Sequence, residues 1–262
     1  AAKQVRLLVG TGGADMVRTL MRSGKRVIAA GPGNPPCIVD ETADIKKAAA
    51  AIFGSASFNN NLLCIAEKEL FVVDDVFDEF MQELVNAGAY LMTRDQAEAV
   101  EKTGLNFNPE KGYSANKKWV GKYAKDILAA AGIQVGGDPR LAVYEAENED
   151  PFVQTEQMMP VMPVVRCKDF DEAVQRALAA EHGNLHSAAI WTKNMDRCTC
   201  FGTLINTTIF VVNGGTMSAF GHGGSGTDSP TIATPTGDGV TSPATYTRRR
   251  RYCMADGQNY LL

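Results

Sequence analysis

The residue best suited to covalent chemistry is Cys64, which ends the polar segment Ser57-Phe-Asn-Asn-Asn-Leu-Leu-Cys64. This segment follows a predicted helix and precedes a predicted strand, so the thiol belongs to a loop between regular elements, where reactive groups are commonly presented. A thiolate there is a strong nucleophile towards a carbonyl carbon, and the backbone N–H of Cys64 can help to hold the oxyanion that forms. A second interpretation stays open, because most free cysteines are small buried hydrophobes.

A metal site is the other chemistry that the residue types suggest. Cys198 and Cys200, taken with His182 and His186, are all potential zinc ligands. However, the pair Gly183-Asn184 breaks the helix that would align the two histidines, and the sequence offers no second close pair of cysteines. We therefore expect no metal site.

Composition and charge limit the classes of partner. The 262 residues carry a formal net charge of −4, with 45% hydrophobic and 21% charged residues. This balance is typical of an ordinary globular protein and gives no electrostatic reason to expect nucleic acid or a membrane as partner. We expect the short basic run Arg248–Arg251 to form ion pairs between subunits or domains, with a phosphate contact as the alternative. Six thinly spread cysteines favour a reduced, cytoplasmic protein, and no apolar run approaches the length of a membrane span.

The first residues predict a βαβ unit. Val5–Val9 has the pattern of a buried strand, Ala14–Met21 that of a helix and Val27–Ala30 that of a second strand. A parallel sheet needs more strands, and the first apolar run follows Ala-Ala-Lys-Gln directly. We therefore expect the unit to be the remnant of a larger sheet, in a fragment or a processed chain. The Gly- and Pro-rich segment 31–36 then predicts a domain boundary.

After this boundary, strands and helices alternate, which predicts an α/β domain with a mostly parallel sheet. Segments 92–117 and 221–243 are predicted to be irregular, and the alternation over Thr245–Met254 predicts a final extended strand. The other predicted strands are Cys37–Val39, Leu70–Val73, Leu141–Tyr144, Val161–Val165, Ala188–Trp191 and Thr208–Val212. The predicted helices are 44–53, with Asp44 as its cap, Phe77–Val85, Trp119–Ala131, Asp171–Ala179 and Met195–Phe201.

Taken in order, a set of motifs resembles the aldehyde dehydrogenase superfamily. The set is most similar to the CoA-acylating members from ethanolamine- and propanediol-type microcompartments, and it covers nearly the whole chain. The motifs are Gly31-Pro-Gly-Asn-Pro-Pro36, Asp40-Glu-Thr-Ala-Asp-Ile45, Phe58-Asn-Asn-Asn-Leu-Leu-Cys-Ile-Ala-Glu-Lys68, Trp119-Val-Gly121, Thr155-Glu-Gln-Met-Met-Pro-Val161, Ile205-Asn-Thr-Thr-Ile-Phe-Val211, Pro235-Thr-Gly-Asp-Gly-Val-Thr-Ser242 and the basic tail Thr245–Cys253.

The resemblance implies a covalent mechanism at Cys64. In such enzymes the thiolate attacks an aldehyde to give a thiohemiacetal, hydride leaves to a nicotinamide cofactor, and a thioacyl-enzyme remains. Hydrolysing members have a glutamate base where Ala30 stands in this sequence. Because an alanine cannot activate water, the thioester would survive until the CoA thiol attacks it. The resemblance therefore implies NAD as cofactor with CoA and a short aldehyde as substrates; the alternative is that Ala30 merely ends a buried strand.

The same resemblance implies roles for further residues. Glu156 matches the acid that holds the nicotinamide ribose hydroxyls, although an isolated glutamate is more often a solvated loop residue. Thr11, Gly12 and Gly13 match the turn that approaches the cofactor pyrophosphate, although such a turn is equally an ordinary one. His186 matches a histidine near the active site of the CoA-acylating members. An imidazole that titrates near neutral pH would deprotonate the CoA thiol there, and a purely structural histidine is the alternative.

The resemblance also implies the domain organisation. Residues 1–34 are predicted to end an NAD-binding, Rossmann-like domain, 35–225 to form the catalytic domain, and 226–262 to be a returning segment that pairs across subunits of a homo-oligomer. A second oxyanion donor and most of the nucleotide-binding sheet would lie outside the chain, so we expect these residues alone to turn over slowly or not at all. A cytoplasmic location inside a bacterial microcompartment, with shell or cargo proteins as partners, is implied too. Two alternatives stay open: a hydrolysing aldehyde dehydrogenase, and a catalytically silent module used for assembly.

Overall fold

A parallel β-sheet forms the centre of the molecule. The computed structural model describes residues 4–226, 228–229, 231–234 and 236–256. Seven strands lie in the order β11-β10-β3-β4-β9-β8-β5, and every neighbouring pair is parallel. The strands along the chain are β1 (Leu7–Thr11), β2 (Arg26–Ala30), β3 (Pro36–Val39), β4 (Glu69–Val73), β5 (Tyr90–Leu91), β6 (Leu105–Asn108), β7 (Gly112–Ala115), β8 (Ala142–Ala146), β9 (Val161–Cys167), β10 (Ser187–Trp191), β11 (Ile209–Val212), β12 (Ile232–Ala233) and β13 (Gly239–Val240). The predicted α/β fold with a mostly parallel sheet is confirmed.

Helices cover both faces of this sheet, which is why its strands are continuous apolar runs. The helices are α1 (Ala14–Met21), α2 (Ile45–Ser57), α3 (Asp74–Asn86), α4 (Arg94–Gly104), α5 (Ala124–Ala130), α6 (Phe170–Glu181) and α7 (Met195–Ile205). Side chains of β3 alternate between two cores: Ile38 faces the core that includes α4 to α7, whereas Cys37 and Val39 face the core that includes α2 and α3. The central strands are therefore held from both sides, and the segments that enter them have fixed positions.

The βαβ unit at the start of the chain forms a separate two-stranded parallel sheet, β1 with β2. It has its own small core of Val17, Val27 and Ala29. The C-terminal segment crosses this unit, because the Arg26 guanidinium donates to the carbonyl oxygens of Thr245 and Thr247, each at 2.6 Å. The separate sheet agrees with a boundary near residue 34, and the three-domain division stays a prediction.

The structure corrects three predicted elements. Segment 92–117 is not irregular: it contains α4, which begins with a capping box between Thr93 and Gln96, and the antiparallel hairpin β6–β7. The predicted helix Trp119–Ala131 is too long, because Gly121 has a φ of 69° that a helix cannot include, and α5 begins only at Ala124.

The predicted strand Thr245–Met254 is wrong. Ser242 forms a capping box with Thr245, and Pro243 starts a 3-10 turn that runs to Tyr246. The residues from 247 to 254 form no strand. The described residues of segment 221–243 are irregular as predicted except for the short pair β12–β13. Pro235 and residues 257–262 lie outside the described residues.

Candidate active site

Three of the predicted functional residues meet at the amino-terminal edge of the main sheet. Cys64 lies in the segment that enters β4, Glu156 in the segment that enters β9, and His186 immediately before β10. Ligands of open parallel sheets usually bind at the opposite, carboxyl edge. The candidate site is therefore built from strand-entry segments, and each of them is held by the buried strand that follows it.

The loop that carries Cys64 has an unusual backbone. Asn59, Asn60 and Asn61 all have left-handed φ values, between 48° and 57°. Asparagine tolerates this region better than other residues with a Cβ, but three in succession are costly for L-amino acids. Side chains hold the conformation: Asn60 donates to the carbonyl of Gly121 at 3.0 Å, and Asn61 donates to the carbonyls of Ala56 and Glu67. The three asparagines that predicted a polar loop thus specify its shape.

Cys64 is a half-buried free cysteine. Burial raises the pKa of the thiol above its ordinary value, and the carboxylate of Glu156 raises that pKa further. The ammonium of Lys68 and the backbone N–H groups of Cys64 and Ile65 act in the opposite direction and lower it. The N–H of Cys64 thus lies where it stabilises negative charge on the sulfur, and its role as an oxyanion donor stays a prediction.

Gly33 joins the three predicted residues. A Cβ built at this position would lie 2.8 Å from Cγ of His186 and 3.0 Å from the carbonyl oxygen of Cys64. The N–H of Gly33 also hydrogen-bonds the carboxylate of Glu156. From the sequence, Gly33 belongs to a predicted domain boundary and to one of the family motifs, with no role of its own. The close approach of three segments explains why a residue without a side chain stands there.

Glu156 is half-buried beside this junction. Burial raises the pKa of its carboxyl group, while Lys68 and the N–H of Gly33 lower it. The next residue, Gln157, is fully buried and donates to the carbonyls of Lys68 and Val161 at 2.9 Å. Glu156 is therefore fixed by its neighbour in sequence to the loop that carries Cys64, and it is not a solvated loop acid.

His186 is fully buried, and its ring stands against Gly33. Nδ1 lies 2.7 Å from Oγ of Ser187, whereas Nε2 has no hydrogen-bond partner among the described residues. Burial, with a contribution from Lys68, lowers the pKa of the imidazole to about 4. This differs from the sequence-based expectation of titration near neutral pH: at pH 7 the ring is neutral, and Nε2 accepts a proton once Nδ1 donates to Ser187.

The turn before His186 is organised by Glu181. Its carboxylate accepts the backbone N–H of His186 at 3.0 Å and interacts with those of Gly183, Asn184 and Leu185. His182 ends α6 in the left-handed region, so the two histidines do not share a helix face. Among the described residues, no group of three or more His, Cys, Asp or Glu side chains is placed to hold a metal ion.

Thr11, Gly12 and Gly13 form the turn between β1 and α1, away from the Gly33 junction. Gly13 precedes α1 without a side-chain cap, so the first N–H groups of the helix are available to an anion. A cavity of about 240 Å³ is lined by Ala14, Pro32, Asn184 and Thr234. The role of the turn in binding a cofactor stays a prediction.

Comparison with known proteins decides the family. The model of the aldehyde dehydrogenase family matches residues 1–232. The chain belongs to the aldehyde dehydrogenase family. It is 44% identical over 258 residues to the propanal dehydrogenase (CoA-propanoylating) of Salmonella typhimurium, covering 98% of this chain and 54% of that protein. The predicted resemblance to the CoA-acylating members is thereby confirmed, and the chain spans about half the length of such relatives.

Solved structures of aldehyde dehydrogenases agree with the fold. A propionaldehyde dehydrogenase from the fucose utilisation microcompartment of Clostridium phytofermentans superimposes with a TM-score of 0.90 at 44% identity, over 95% of this chain and 57% of that one. A propionaldehyde dehydrogenase from Rhodopseudomonas palustris, solved with bound CoA and an acylated cysteine, gives a TM-score of 0.89 at 40% identity, over 94% and 55%. None of the helices formed by the described residues has the length and apolar character needed to span a bilayer.

Proposed function

We propose that this chain carries the catalytic domain of a CoA-acylating aldehyde dehydrogenase, which converts a short aldehyde and CoA into an acyl-CoA with NAD as hydride acceptor. The observation that supports this most directly is the junction at Gly33, where Cys64, Glu156 and His186 come together from three separate segments. The acylated cysteine and bound CoA of the Rhodopseudomonas palustris relative fit the same chemistry.

Each residue of the junction has a role in this proposal. Cys64 bonds through sulfur to the aldehyde carbon, and its N–H stabilises the oxyanion of the thiohemiacetal. Glu156 accepts the ribose hydroxyls of the cofactor while the N–H of Gly33 holds its carboxylate in place. Bound NAD supplies the acceptor for the hydride that leaves the thiohemiacetal carbon. The thioacyl group then remains on Cys64.

His186 has the proton-transfer role in the second half of the reaction. Among the described residues its buried Nε2 has no hydrogen-bond partner, and the neutral ring accepts the proton of the CoA thiol. The CoA sulfur then bonds to the acyl carbon, the bond to the sulfur of Cys64 breaks, and the proton passes from His186 to solvent, so that Cys64 is left as the thiolate that attacks the next aldehyde. One turnover thus releases one proton, and His186 ends the cycle neutral.

Ala30 favours transfer to CoA over transfer to water. It is fully buried at the end of β2, immediately before the Gly31–Pro35 segment. A methyl group there can neither bind nor deprotonate a water molecule, whereas hydrolysing members have a glutamate at this position. Product formation that needs no CoA would contradict this part of the proposal.

The assembly and location of the protein are part of the same proposal. The Clostridium phytofermentans relative comes from a bacterial microcompartment. We infer that the longer protein is a cytoplasmic homo-oligomer packaged in such a compartment, with shell or cargo proteins as partners. The basic run Arg248–Arg251 is exposed and available for contacts between subunits.

Acylation of Cys64 from the product side tests the proposal without NAD. The chain is incubated with propanoyl-CoA, and intact-mass spectrometry follows transfer of the acyl group, with Cys64→Ser as the control. We expect one acyl adduct on the wild type, release of CoA, and no adduct on Cys64→Ser. An adduct that persists in the Cys64→Ser variant would refute the assignment of the nucleophile. The absence of an adduct in the full-length protein as well would refute the CoA-acylating function.

A further inference from the structure

Lys68 lies beneath the loop that carries Cys64 and takes no part in the mechanism described above. Its side chain is fully buried. The three protons of its ammonium group have three acceptors: the carbonyl oxygen of Asn61 at 2.9 Å, the side-chain oxygen of Asn61, and the carbonyl oxygen of Leu63 at 2.9 Å. Lys68 therefore binds the last of the left-handed asparagines and the residue that immediately precedes Cys64.

The charge of Lys68 is not neutralised by a direct carboxylate contact. In the part of the chain that the structure describes, none of the ion pairs within 4.0 Å includes Lys68. Burial therefore lowers the pKa of its ammonium group to about 8, although Glu156 and Cys64 raise it. Burying an ammonium group that is held only by carbonyl dipoles lowers the stability of the folded protein. We therefore expect the buried charge to have a functional role.

Titratable groups surround Lys68 on every neighbouring segment. Those on its own segment and on the segments that enter β9 and β10 interact with it electrostatically, and they are Cys64, Glu67, Glu69, Glu156 and His186. The hydrogen bonds of Glu67 tie it to Ser55 and Thr216. Cys64, Glu156 and His186 are consequently the three groups of the proposed reaction that interact with the ammonium charge.

We propose that Lys68 is a positioning residue that holds the Cys64 loop in its left-handed conformation and places a positive charge beside the sulfur, so that the thiolate forms more readily. The inference rests on the proposed role of Cys64 as nucleophile. It assigns two effects to one side chain: the hydrogen bonds fix the loop, and the charge stabilises the anion on Cys64. A purely structural lysine would produce only the first effect.

The pH dependence of Cys64 alkylation separates these effects. Iodoacetamide is neutral and needs neither CoA nor NAD, and peptide mass spectrometry distinguishes Cys64 from the exposed Cys200 and Cys253. The substitution Lys68→Gln keeps an N–H donor and removes the charge. We expect it to raise the pH midpoint of Cys64 alkylation by about 1 unit, which slows alkylation at pH 7 about tenfold. The same change at exposed Lys46 should leave the midpoint unchanged.

An unchanged midpoint in folded Lys68→Gln, whatever its thermal stability, would overturn the proposal. If Lys68→Gln does not fold, Lys68→Arg supplies the test, because a guanidinium keeps its charge throughout the titration. The proposal then requires a midpoint at or below that of the wild type, and a higher midpoint would overturn it. Acylation by propanoyl-CoA is measured on the same samples. If propanoyl-CoA did not acylate the wild type, the proposed function would be contradicted. The effect of Lys68 on alkylation could still be measured.

Discussion

Adding one methyl group at Gly33 is the sharpest test of the junction on which the site is built. In Gly33→Ala the new Cβ would lie 2.8 Å from Cγ of His186, about 0.6 Å closer than ordinary van der Waals contact, which begins at 3.4 Å. It would also lie 3.0 Å from the carbonyl oxygen of Cys64. Neither neighbour yields easily, because the ring is fully buried and the oxygen belongs to the backbone. The segments that carry the two residues must therefore move apart.

The size of the effect follows from this displacement. Overpacking of a buried site costs about 1–3 kcal/mol of the free energy of unfolding, which lowers Tm by about 2–4 °C per kcal/mol in a domain of this size. A shift of 1 Å in a reacting group can reduce a rate about 100-fold. A shift of about half that size at Cys64 should thus slow acylation by propanoyl-CoA about tenfold. Thermal unfolding and the rate of adduct formation measure the two quantities.

Gly136→Ala is the matched control for Gly33→Ala. Gly136 is exposed, and a Cβ at this position would meet no atom within 4 Å, so neither Tm nor the acylation rate should fall. If Gly33→Ala acylated Cys64 at the wild-type rate with an unchanged Tm, the three segments would not meet as closely as the structure shows. Gly33 would then not be the residue that aligns Cys64, His186 and Glu156.

For three further substitutions, the structure fixes the direction of the expected effect. Glu156→Gln removes a charge that raises the pKa of Cys64, so the pH midpoint of Cys64 alkylation should fall; a rise would contradict this. Glu69 is buried, neither carboxylate oxygen has a hydrogen-bond partner among the described residues, and burial raises its pKa well above the ordinary value. It therefore contributes stability below about pH 4.5 that is lost as pH rises towards its folded pKa. Urea unfolding should show Glu69→Gln gaining more stability at pH 8 than at pH 5, and equal gains would contradict the burial argument. Burial raises the pKa of Asp40, but hydrogen bonds from Thr192, Thr42 and Arg197 outweigh this effect and hold the pKa below the ordinary value. Asp40→Asn should therefore lower the free energy of unfolding by about 1–3 kcal/mol at pH 7 and by less near pH 3. Urea titrations at the two pH values measure this difference.

The order of the elements could be predicted from the sequence because it depends on local patterns, whereas the role of Cys64 as nucleophile rests on the family resemblance and stays a prediction. Apolar runs that alternate with amphipathic segments specify buried parallel strands and covering helices wherever they occur in a chain. Three asparagines before Cys64 indicate a polar loop, and the structure shows that they also set its left-handed backbone. The prediction of a final strand at Thr245–Met254 was wrong for a related reason. The alternation of side-chain types along a segment does not show whether a partner strand is available to pair with it.

The environment of the site was decided only by the tertiary structure. Glu67, Lys68 and Glu69 form a charged triplet that sequence rules place in solvent, yet all three are fully buried. Gly33 has no side chain from which a role could be inferred, and its importance lies in what would collide with a Cβ. The pKa of His186 falls to about 4 because segments distant in sequence exclude water from its ring. Burial, charge and close approach are properties of residues that meet only when the chain folds, so no local pattern records them.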